Sequence, residues 1–394
     1  MKRSVGRITA LLLTVCLLRG LFTTAASALT QAPSEAASSI SLPSVEEACR
    51  SAVLMEASTG QILWEMEPDV AMPPASVTKI MTLLLVMEAL EGGAVGWEDK
   101  VVASARASSM GGSQIFLKEG EVMSLRDLVK SVVIASANDA AVALAEHIAG
   151  SEEAFVERMN RRAAELSMSS THFENTNGLD DTARNHVSSA RDIAIMSRAL
   201  IRHKEILTYS STWMDTIRDG AFGLTNTNRL VRFYPGCTGL KTGSTQKAGF
   251  CVSVTAEREG MTLVCVIMGA ESRDSRNAAA KALLDWGFAT YGLFTAEAGT
   301  LGPVKVTGGT PEEVELAYPR FTAVLPRGDM ATVDHEAELP ESLTAPVRAG
   351  EAVGKIRYTC KGQTLGEVAI TASETSLRPT FWEIWRRMLG YWFG

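Results

Sequence analysis

The pattern of apolar residues is densest between residues 72 and 90, where it predicts a buried helix. This stretch, MPPASVTKIMTLLLVMEAL, begins with Pro73 and Pro74 and contains no glycine and no further proline. Proline suits the entrance of a helix but not its interior, so we expect the helix to begin near Ser76. Residues 80–87 leave almost no polar face, which indicates a helix inside a domain and not on its surface.

Strand-like runs on both sides of this helix predict one sheet assembled from the two ends of a unit. Residues 51–57 and 61–66 flank a Ser-Thr-Gly turn and predict a β-hairpin. Residues 249–256 and 261–268 predict a second hairpin, followed by a helix over 277–291. Between the hairpins, helical spacing of apolar residues predicts a helical lobe, with helices over 125–134, 139–148, 152–166 and 189–203. The expected fold class is therefore α+β, with the active site where sheet and lobe meet.

The composition changes near residue 299, where short β-type runs separated by Gly, Pro and Asp predict a smaller all-β domain. A chain of 394 residues exceeds the usual size of a single core, which also favours two domains. The predicted organisation is a signal peptide over 1–28, a linker over 29–44, a catalytic domain over 45–293, an all-β domain over 294–373 and an amphipathic helix over 374–394.

The first residues have the features of a secretory signal. Three basic residues precede an apolar run over 8–18, and Ala26-Ser27-Ala28 predicts cleavage after Ala28. The apolar run is too short for a stable membrane span. Cleavage removes four positive charges and changes the formal net charge from −7 to −11 (−7 − 4), the four residues being Lys2, Arg3, Arg7 and Arg19. An acidic chain without a basic stripe is a poor candidate for nucleic-acid binding.

Cysteine and histidine spacing predicts no metal site. Five cysteines remain after cleavage: Cys49, Cys237, Cys251, Cys265 and Cys360. We interpret them mainly as small buried apolar residues; one disulfide is possible, but the sequence does not show which two cysteines would form it. The histidines lack a His-Glu-x-x-His pattern, and the chain has no Gly-x-Ser-x-Gly nucleophile elbow. We therefore expect no metal and no cofactor, and we interpret His186 as a structural residue.

The last residues predict an amphipathic helix that lies in a membrane interface. One helical face carries apolar and aromatic residues, and the opposite face carries Glu383, Arg386 and Arg387. The apolar face consists of Phe381, Ile384, Trp385, Met388, Leu389 and Trp392. This pattern favours binding at a membrane surface, and the helix is too short to span. The alternative is a helix that docks on its own domain or on a second subunit.

The start of the helix at residue 76 carries candidate chemistry. Ser76 and Lys79 are three residues apart and share a helical face, so both can point into one site. Burial lowers the pKa of a lysine, and a neutral amine beside a hydroxyl can remove its proton. The alternative is an ordinary N-cap serine, because Ser-x-x-Lys is a short pattern that is common by chance.

Two further short motifs favour the catalytic interpretation of Ser76 over the N-cap interpretation. Ser136-Ala137-Asn138 stands at a turn between two helices of the lobe, and Lys241-Thr242-Gly243 begins the returning sheet. A lysine and a hydroxyl there can bind a carboxylate, and the glycine lets a substrate backbone come close. In this order, the three motifs are the signature of penicillin-recognising serine enzymes.

The chain resembles a low-molecular-mass penicillin-binding protein of the serine-type D-alanyl-D-alanine carboxypeptidase family, nearest the sporulation-type enzymes. The resemblance covers the chain from the signal peptide to the terminal helix, and the matching stretches are PPASVTKIMT, GGSQIFLKEGE, IASANDAAVALAEHIAG, NTNGLD, HVSSARDIA and YPGCTGLKTGSTQKAGFC. Two departures, Ala137 at the centre of the Ser-x-Asn motif and Ser244 at a variable position, remove no functional group.

This resemblance implies a role for each matching residue. Ser76 would be the nucleophile, and Lys79 the general base. Ser136 would relay a proton to the leaving amine, and Asn138 would hold Lys79 and the substrate backbone. The terminal carboxylate would bind Lys241 and Thr242 beside Gly243, and the backbone N–H groups of Ser76 and Ser244 would form the oxyanion hole.

The expected reaction is removal of the terminal D-Ala from peptidoglycan pentapeptides through a serine acyl-enzyme that β-lactams also form. The expected location is the extracytoplasmic face of the membrane or the cell wall. Three alternatives stay open: a D,D-endopeptidase, a β-lactamase and a non-enzymatic cell-wall binding module. A β-lactamase needs an added base for deacylation; the nearest candidate, Glu174, is followed four places on by Gly178 and not by the expected asparagine.

Overall fold

The structure is a computed structural model that describes residues 44–181 and 183–393. The predicted signal peptide and all of the predicted linker except Ser44 lie outside the described residues. The helices, in chain order, are α1 (Lys79–Glu91), α2 (Ala105–Ser108), α3 (Leu125–Ile134), α4 (Asn138–Ala149), α5 (Glu152–Glu165), α6 (Ala190–Leu200), α7 (Glu205–Ser210), α8 (Leu230–Phe233), α9 (Arg273–Thr290) and α10 (Phe381–Phe393).

The strands alternate with these helices and dominate the last third of the chain. They are β1 (Ser51–Glu56), β2 (Ile62–Met66), β3 (Lys100–Val102), β4 (Val122–Ser124), β5 (Met214–Ile217), β6 (Phe222–Thr225), β7 (Cys237–Thr245), β8 (Gly249–Arg258), β9 (Met261–Ala270), β10 (Tyr291–Ala296), β11 (Gly299–Thr307), β12 (Glu313–Tyr318), β13 (Phe321–Pro326), β14 (Val333–Glu338), β15 (Ser342–Thr344), β16 (Ala352–Cys360) and β17 (Gln363–Ala372). Short 3₁₀ helices span Ala75–Thr78 and Arg327–Thr332.

The central sheet is antiparallel and has the order β2-β1-β9-β8-β7. It unites strands from both ends of the unit, which confirms the α+β prediction. Successive side chains of a strand point to opposite faces. On β9, for example, Val264 and Val266 belong to the core shared with the helical lobe, whereas Leu263 and Cys265 belong to the core beneath α9.

The lobe encloses α1, which is largely buried. Most side chains of α1 are buried, because the helix packs against α4, α6 and the sheet and has no polar face. The four helices predicted for the lobe are present as α3, α4, α5 and α6. Two small antiparallel strand pairs, β3–β4 and β5–β6, were not predicted, because their strands are only three or four residues long.

Two helix starts differ from the sequence-based expectation. The turn carrying Ser76 is a 3₁₀ helix, and the α-helix proper begins only at Lys79. Helix α9 begins at Arg273, four residues before the predicted start, because Ser272 and Ser275 form a reciprocal capping box there. The prediction relied on the spacing of apolar residues, and the residues of this first turn are polar, so the true start of the helix was missed.

The C-terminal region forms a second sheet with its own core, as the composition predicted. Its six strands have the order β14-β16-β17-β12-β11-β15, and β10 pairs separately with β13. Strand β14 was not predicted, because it lies at the edge of the sheet and its side chains are mostly exposed and polar. The five cysteines of the described chain are buried and free, so the disulfide left open by the sequence is not formed.

Helix α10 ends the described chain and presents an exposed apolar face. Within residues 44–181 and 183–393, no helix is both long and apolar enough to cross a membrane.

Candidate active site

Ser76 and Lys79 lie together at the start of α1. The Lys79 Nζ atom lies 2.9 Å from Ser76 Oγ and donates a hydrogen bond of 2.8 Å to the carbonyl oxygen of Asn177. The 3₁₀ turn beneath Ser76 is strained, because Ala75 has a φ of +49°, in the left-handed region. The turn also packs tightly on Gly178, where a Cβ atom would overlap the Ala75 carbonyl.

The environment of Lys79 favours a neutral amine. Its side chain is fully buried, and desolvation holds its pKa well below the usual range for lysine. The positive charge of Lys241 lowers the pKa further, and the carboxylate of Asp139 opposes the shift. A neutral Lys79 amine beside Ser76 Oγ has the geometry and the charge state of a general base.

Ser136 and Asn138 lie at the turn between α3 and α4. Ser136 has a φ of +63°, and its Oγ atom is buried without a hydrogen-bond partner in the described chain. The Oδ1 atom of Asn138 is also unpartnered, while its Nδ2 atom donates to the carbonyl oxygen of Gly111. Buried polar atoms without partners are costly, so these two atoms are available for a substrate.

Asp139 fixes the loop that lies over this turn. Its carboxylate accepts hydrogen bonds of 3.0 to 3.2 Å from the backbone N–H groups of Ile115 and Leu117. The backbone N–H group of Asn138 donates to the carbonyl oxygen of Ser113 in the same loop. One short segment therefore positions both the Ser-x-Asn motif and the loop beside it.

The third motif runs along β7, the edge strand next to Ser76. A Cβ atom on Gly243 would lie 2.8 Å from the backbone nitrogen of Ser76, so only glycine lets the strand come this close. Thr242 Oγ1 donates to Thr227 Oγ1 at 2.9 Å, and Lys241 Nζ donates to the Thr242 carbonyl oxygen. Ser244 follows on the same strand and is exposed.

Lys241 is buried next to another cation. Burial lowers the pKa of Lys241 to about 7, and the charge of Arg276 contributes to the shift. Arg276 is itself buried and donates to the carbonyl oxygen of Cys251 and to the side chain of Asn277. In the described residues neither Lys241 nor Arg276 bonds to a carboxylate, so this pair of cations favours binding of an anionic group.

The structure places Ser76 beside Lys79 and packs Gly243 of β7 against the Ser76 turn. The resemblance implied that Asn138 holds Lys79, but no hydrogen bond joins the two in the described residues: the Asn138 amide nitrogen bonds to the Gly111 carbonyl oxygen, and Lys79 bonds to the Asn177 carbonyl oxygen.

The structure also adds residues that the sequence did not single out. Asn177 supplies a backbone carbonyl to Lys79, and Thr227 bonds to Thr242. Arg276 carried no sequence signal, because it lies in the polar first turn of α9. A backbone acceptor such as the Asn177 carbonyl leaves no mark in residue type, so only the fold reveals it.

Glu174, the base that a β-lactamase would need, is engaged elsewhere. Its two carboxylate oxygens accept hydrogen bonds of 2.7 and 2.9 Å from the backbone N–H groups of Arg184 and Asn185. These bonds hold the pKa of Glu174 below its ordinary value. The carboxylate stabilises its own loop and is a poor acceptor for a proton from water.

Comparisons with known proteins identify the family of this chain. The family model described as D-alanyl-D-alanine carboxypeptidase matches residues 36–272, and the penicillin-binding protein 5 C-terminal domain matches residues 290–376. The D-alanyl-D-alanine carboxypeptidase DacF of Bacillus subtilis is 40% identical over 351 residues, which cover 87% of this chain and 90% of that protein.

Solved structures show the same relationship. Penicillin-binding protein 5 of Haemophilus influenzae matches with a TM-score of 0.74 and 32% identity, over 84% of this chain and 98% of that one. Penicillin-binding protein D2 of Listeria monocytogenes, in its ampicillin-bound form, matches with a TM-score of 0.58 and 32% identity, over 62% of this chain and 100% of that one. This chain belongs to the D-alanyl-D-alanine carboxypeptidase family of serine peptidases, with a C-terminal domain of the penicillin-binding protein 5 type.

Proposed function

We propose that the protein is a D-alanyl-D-alanine carboxypeptidase that trims the terminal D-Ala from peptidoglycan stem peptides. Ser76 Oγ attacks the carbonyl carbon of the penultimate D-Ala while its proton passes to Lys79. Ser136 relays a proton to the nitrogen of the leaving D-Ala, and the C–N bond breaks to give an acyl-enzyme. Water then hydrolyses the ester and returns the proton to Ser76.

The observation that carries this proposal is the 2.9 Å contact between Ser76 Oγ and a fully buried Lys79 Nζ. The contact pairs a nucleophile with a base whose lowered pKa suits proton abstraction. In this proposal, Asn138 binds the substrate backbone, and the substrate carboxylate binds Lys241 and Thr242. The N–H groups of Ser76 and Ser244 stabilise the oxyanion beside Gly243.

The nucleophile is tested with a fluorescent penicillin. We expect Ser76→Ala to lose covalent labelling and D-Ala release completely, whereas Ser109→Ala, at an exposed serine, keeps both. Retained labelling of Ser76→Ala would refute the assignment. Mass spectrometry of the reaction products then distinguishes the two peptidase activities. Loss of one D-Ala from a pentapeptide muropeptide indicates a carboxypeptidase, and cleavage of a cross-linked muropeptide dimer indicates an endopeptidase.

The structure gives no support to the β-lactamase alternative, because the carboxylate of Glu174 is already engaged by two backbone N–H groups. We therefore expect the acyl-enzyme formed with penicillin to be long-lived. Rapid, repeated turnover of penicillin would contradict this expectation.

We further propose that the protein acts outside the cytoplasm, attached to the membrane surface by α10. Most apolar side chains of this helix are exposed, including Trp382 at 69% and Trp392 at 82%. Arg387 on the other face bonds to Glu312 and Thr310 of the β domain, which leaves the apolar face turned to solvent. An exposed aromatic face opposite arginines suits the headgroup region of a bilayer.

Membrane attachment is tested by deleting residues 378–394 and fractionating cells. The truncated protein should move from the membrane fraction to the soluble fraction and keep its penicillin labelling. Unchanged fractionation would refute the role of the helix. N-terminal sequencing of the exported protein checks the predicted cleavage after Ala28, with Leu29 as the expected first residue.

A further inference from the structure

His186 lies beneath the catalytic turn, although it belongs to a different segment of the chain. Its ring is 5% exposed and makes an edge-on contact with the ring of Phe173. It directly precedes Val187, which forms an antiparallel bridge with His172. No part of the reaction described above uses this histidine.

Two hydrogen bonds determine which ring nitrogen of His186 carries the proton. The backbone N–H group of Glu174 donates to Nδ1 at 3.0 Å, so Nδ1 must be the acceptor. The proton of the neutral ring therefore sits on Nε2, which lies 2.8 Å from Thr78 Oγ1 and donates to it. The neutral ring satisfies both bonds, whereas a protonated ring would turn a second donor towards the Glu174 N–H group.

The two partners of His186 belong to the two elements whose atoms bond to the Lys79 amine. Thr78 ends the turn that carries Ser76 and directly precedes Lys79. Glu174 begins the segment whose Asn177 carbonyl accepts a hydrogen bond from Lys79 Nζ. The imidazole ring therefore links the element that supplies the nucleophile to the element that supplies the acceptor for the base.

The packing between these two elements is tight. A Cβ atom on Gly178 would lie 2.8 Å from Thr78 Oγ1, the same atom that binds His186. A second bond joins the elements further along, from Thr82 Oγ1 to the Thr176 carbonyl oxygen at 2.6 Å. Because these contacts pack the two elements closely beside Lys79, a change in their spacing should alter the hydration of its amine.

We propose that His186 is a positioning residue for Lys79: its neutral ring fixes the Ser76 turn against the Asn177 segment and so keeps the lysine amine dehydrated beside Ser76 Oγ. The inference rests on the proposed function, because it assumes that Lys79 is the base for acylation. It assigns His186 a part in the reaction and not only in the fold.

The surroundings of His186 keep its ring neutral. Burial lowers the pKa of His186 to about 4; Glu174 and Asp180 oppose this shift, and the titratable side chains of His172 and Lys79 act in the same direction as burial. These are the charged and titratable groups that influence the ring from the neighbouring segments. The link between the two elements is therefore intact throughout the neutral range.

The test uses two substitutions that each keep one of the two hydrogen bonds. In His186→Asn the amide oxygen replaces Nδ1 and accepts from Glu174, but it cannot reach Thr78. In His186→Gln the amide nitrogen replaces Nε2 and donates to Thr78, but the bond to Glu174 is lost. His172→Gln is the matched control, because His172 lies on the same bridge with its side chain at the surface.

The rate constant for acylation by a fluorescent penicillin is measured from pH 5 to 10 for each variant. We expect the rate to fall about 10- to 100-fold in both His186 variants, the scale of effect that small misplacement of a catalytic group produces. Water admitted to Lys79 weakens its desolvation and raises its pKa. The rising limb of the pH profile should therefore move to higher pH, by about 0.5 to 1 unit.

Thr78 supplies a second route to the same answer, should a His186 variant fail to fold. Thr78→Val removes the hydroxyl but keeps the shape of the side chain, so it should reproduce the upward shift. Thr78→Ser keeps the hydroxyl and should leave the profile close to that of the natural protein. Thr78→Val thus removes the hydrogen bond between Thr78 and His186 without changing the histidine, and Thr78→Ser is its control.

The outcomes separate a positioning role from a structural one. A lower rate with the rising limb moved upward supports the inference. An unchanged pH profile overturns the inference. A variant that melts at a lower temperature or reacts more slowly, but whose rising limb stays at the same pH, also overturns it, because this is how a purely structural residue behaves. If the natural protein is not labelled by penicillin at all, the proposed function fails first and independently of His186.

Discussion

At the scale of single residues, the site is built by burying groups that resist burial. Lys79 and Lys241 are 0% and 1% exposed, and both have pKa values lowered first of all by desolvation. Ser136 and Ala75 hold left-handed backbone conformations next to them. Each of these features costs folding free energy, which is typical of sites where function and stability compete.

We expect Lys241→Met to stabilise the protein while it abolishes D-Ala release. The pKa of Lys241 is about 7 in the folded protein and near its ordinary value of 10.5 in the unfolded chain. Below pH 7 the fold therefore bears the full cost of a buried cation, and this cost disappears as the pH rises to 10.5. Methionine fills a similar volume without charge.

The free energy of unfolding, from denaturant titrations at pH 6, 8 and 10, measures this effect. The free energy of unfolding of Lys241→Met should exceed that of the natural protein by about 1 to 3 kcal/mol at pH 6, and the difference should shrink towards pH 10. Lys281→Met, at an exposed position on α9, serves as the control and should change little. A variant that is less stable at pH 6 would show that the hydrogen bond to the Thr242 carbonyl outweighs the desolvation cost.

At the scale of elements, the site depends on close approach between backbone segments. The segment around Gly178 packs on the Ser76 turn from below, and β7 at Gly243 packs on it from the side. Thr245, the last residue of β7, and Lys247, just beyond it, bond to Asp180 at 2.5 and 2.7 Å and so link these two segments to each other. The catalytic turn is held from two directions by segments distant in sequence.

We expect Gly178→Ala to reduce acylation about 100-fold or more. Gly178 has a φ of +85°, and an added Cβ atom would meet the Ala75 carbonyl and lie 2.8 Å from Thr78 Oγ1. The turn that carries Ser76 would have to shift, and small displacements of a nucleophile cost about 10²-fold in rate.

Gly120→Ala separates this clash from backbone strain. Gly120 has a similar φ of +76°, but a Cβ atom there meets nothing within 4 Å. Both variants therefore bear the roughly 1–2 kcal/mol cost of a left-handed alanine, but only Gly178→Ala disturbs the turn. Equal acylation rates in the two variants, measured with a fluorescent penicillin, would show that the contact with the turn does not matter.

The same distinction explains what the sequence could predict. Ser76 and Lys79 are related by helical spacing, so their proximity could be read from the chain. Long apolar runs revealed α1, β8 and β9, whereas the first turn of α9 and strand β14 are polar and gave no such signal. The contact between Lys79 and the Asn177 carbonyl depends on backbone placement across 98 residues, which local patterns do not encode.

At the scale of the whole molecule, the catalytic region and the β domain share part of a core. Val324 of β13 and Tyr291 of β10 belong to the apolar cluster beneath the central sheet. Trp286 of α9 contacts Tyr291 edge-on, with ring centroids 5.6 Å apart, and Arg327 Nε donates to the Phe288 carbonyl oxygen. The pair β10–β13 thus covers one end of α9.

This shared core bears on where the catalytic domain ends. The sequence predicted a boundary at residue 293, which falls within β10, a strand that pairs along its length with β13. We propose that the catalytic domain contains the complete site without β10 but needs β10–β13 for full stability. None of the residues assigned to the reaction lies beyond residue 290.

A protein truncated after Thr290 tests this proposal. It should keep its rate of acylation by penicillin within about threefold, because the site is intact, but its melting temperature should fall by about 5 °C or more. Exposing one or two large apolar side chains costs about 1.5–3 kcal/mol each, and each kcal/mol lowers the melting temperature by about 2–4 °C in a domain of this size. Truncation after Leu377 removes α10 but keeps β10–β13, and it should leave both properties unchanged. If the protein truncated after Thr290 melts at the temperature of the natural protein, the shared core contributes nothing to stability. If it also fails to be acylated, part of the catalytic machinery lies in the β domain.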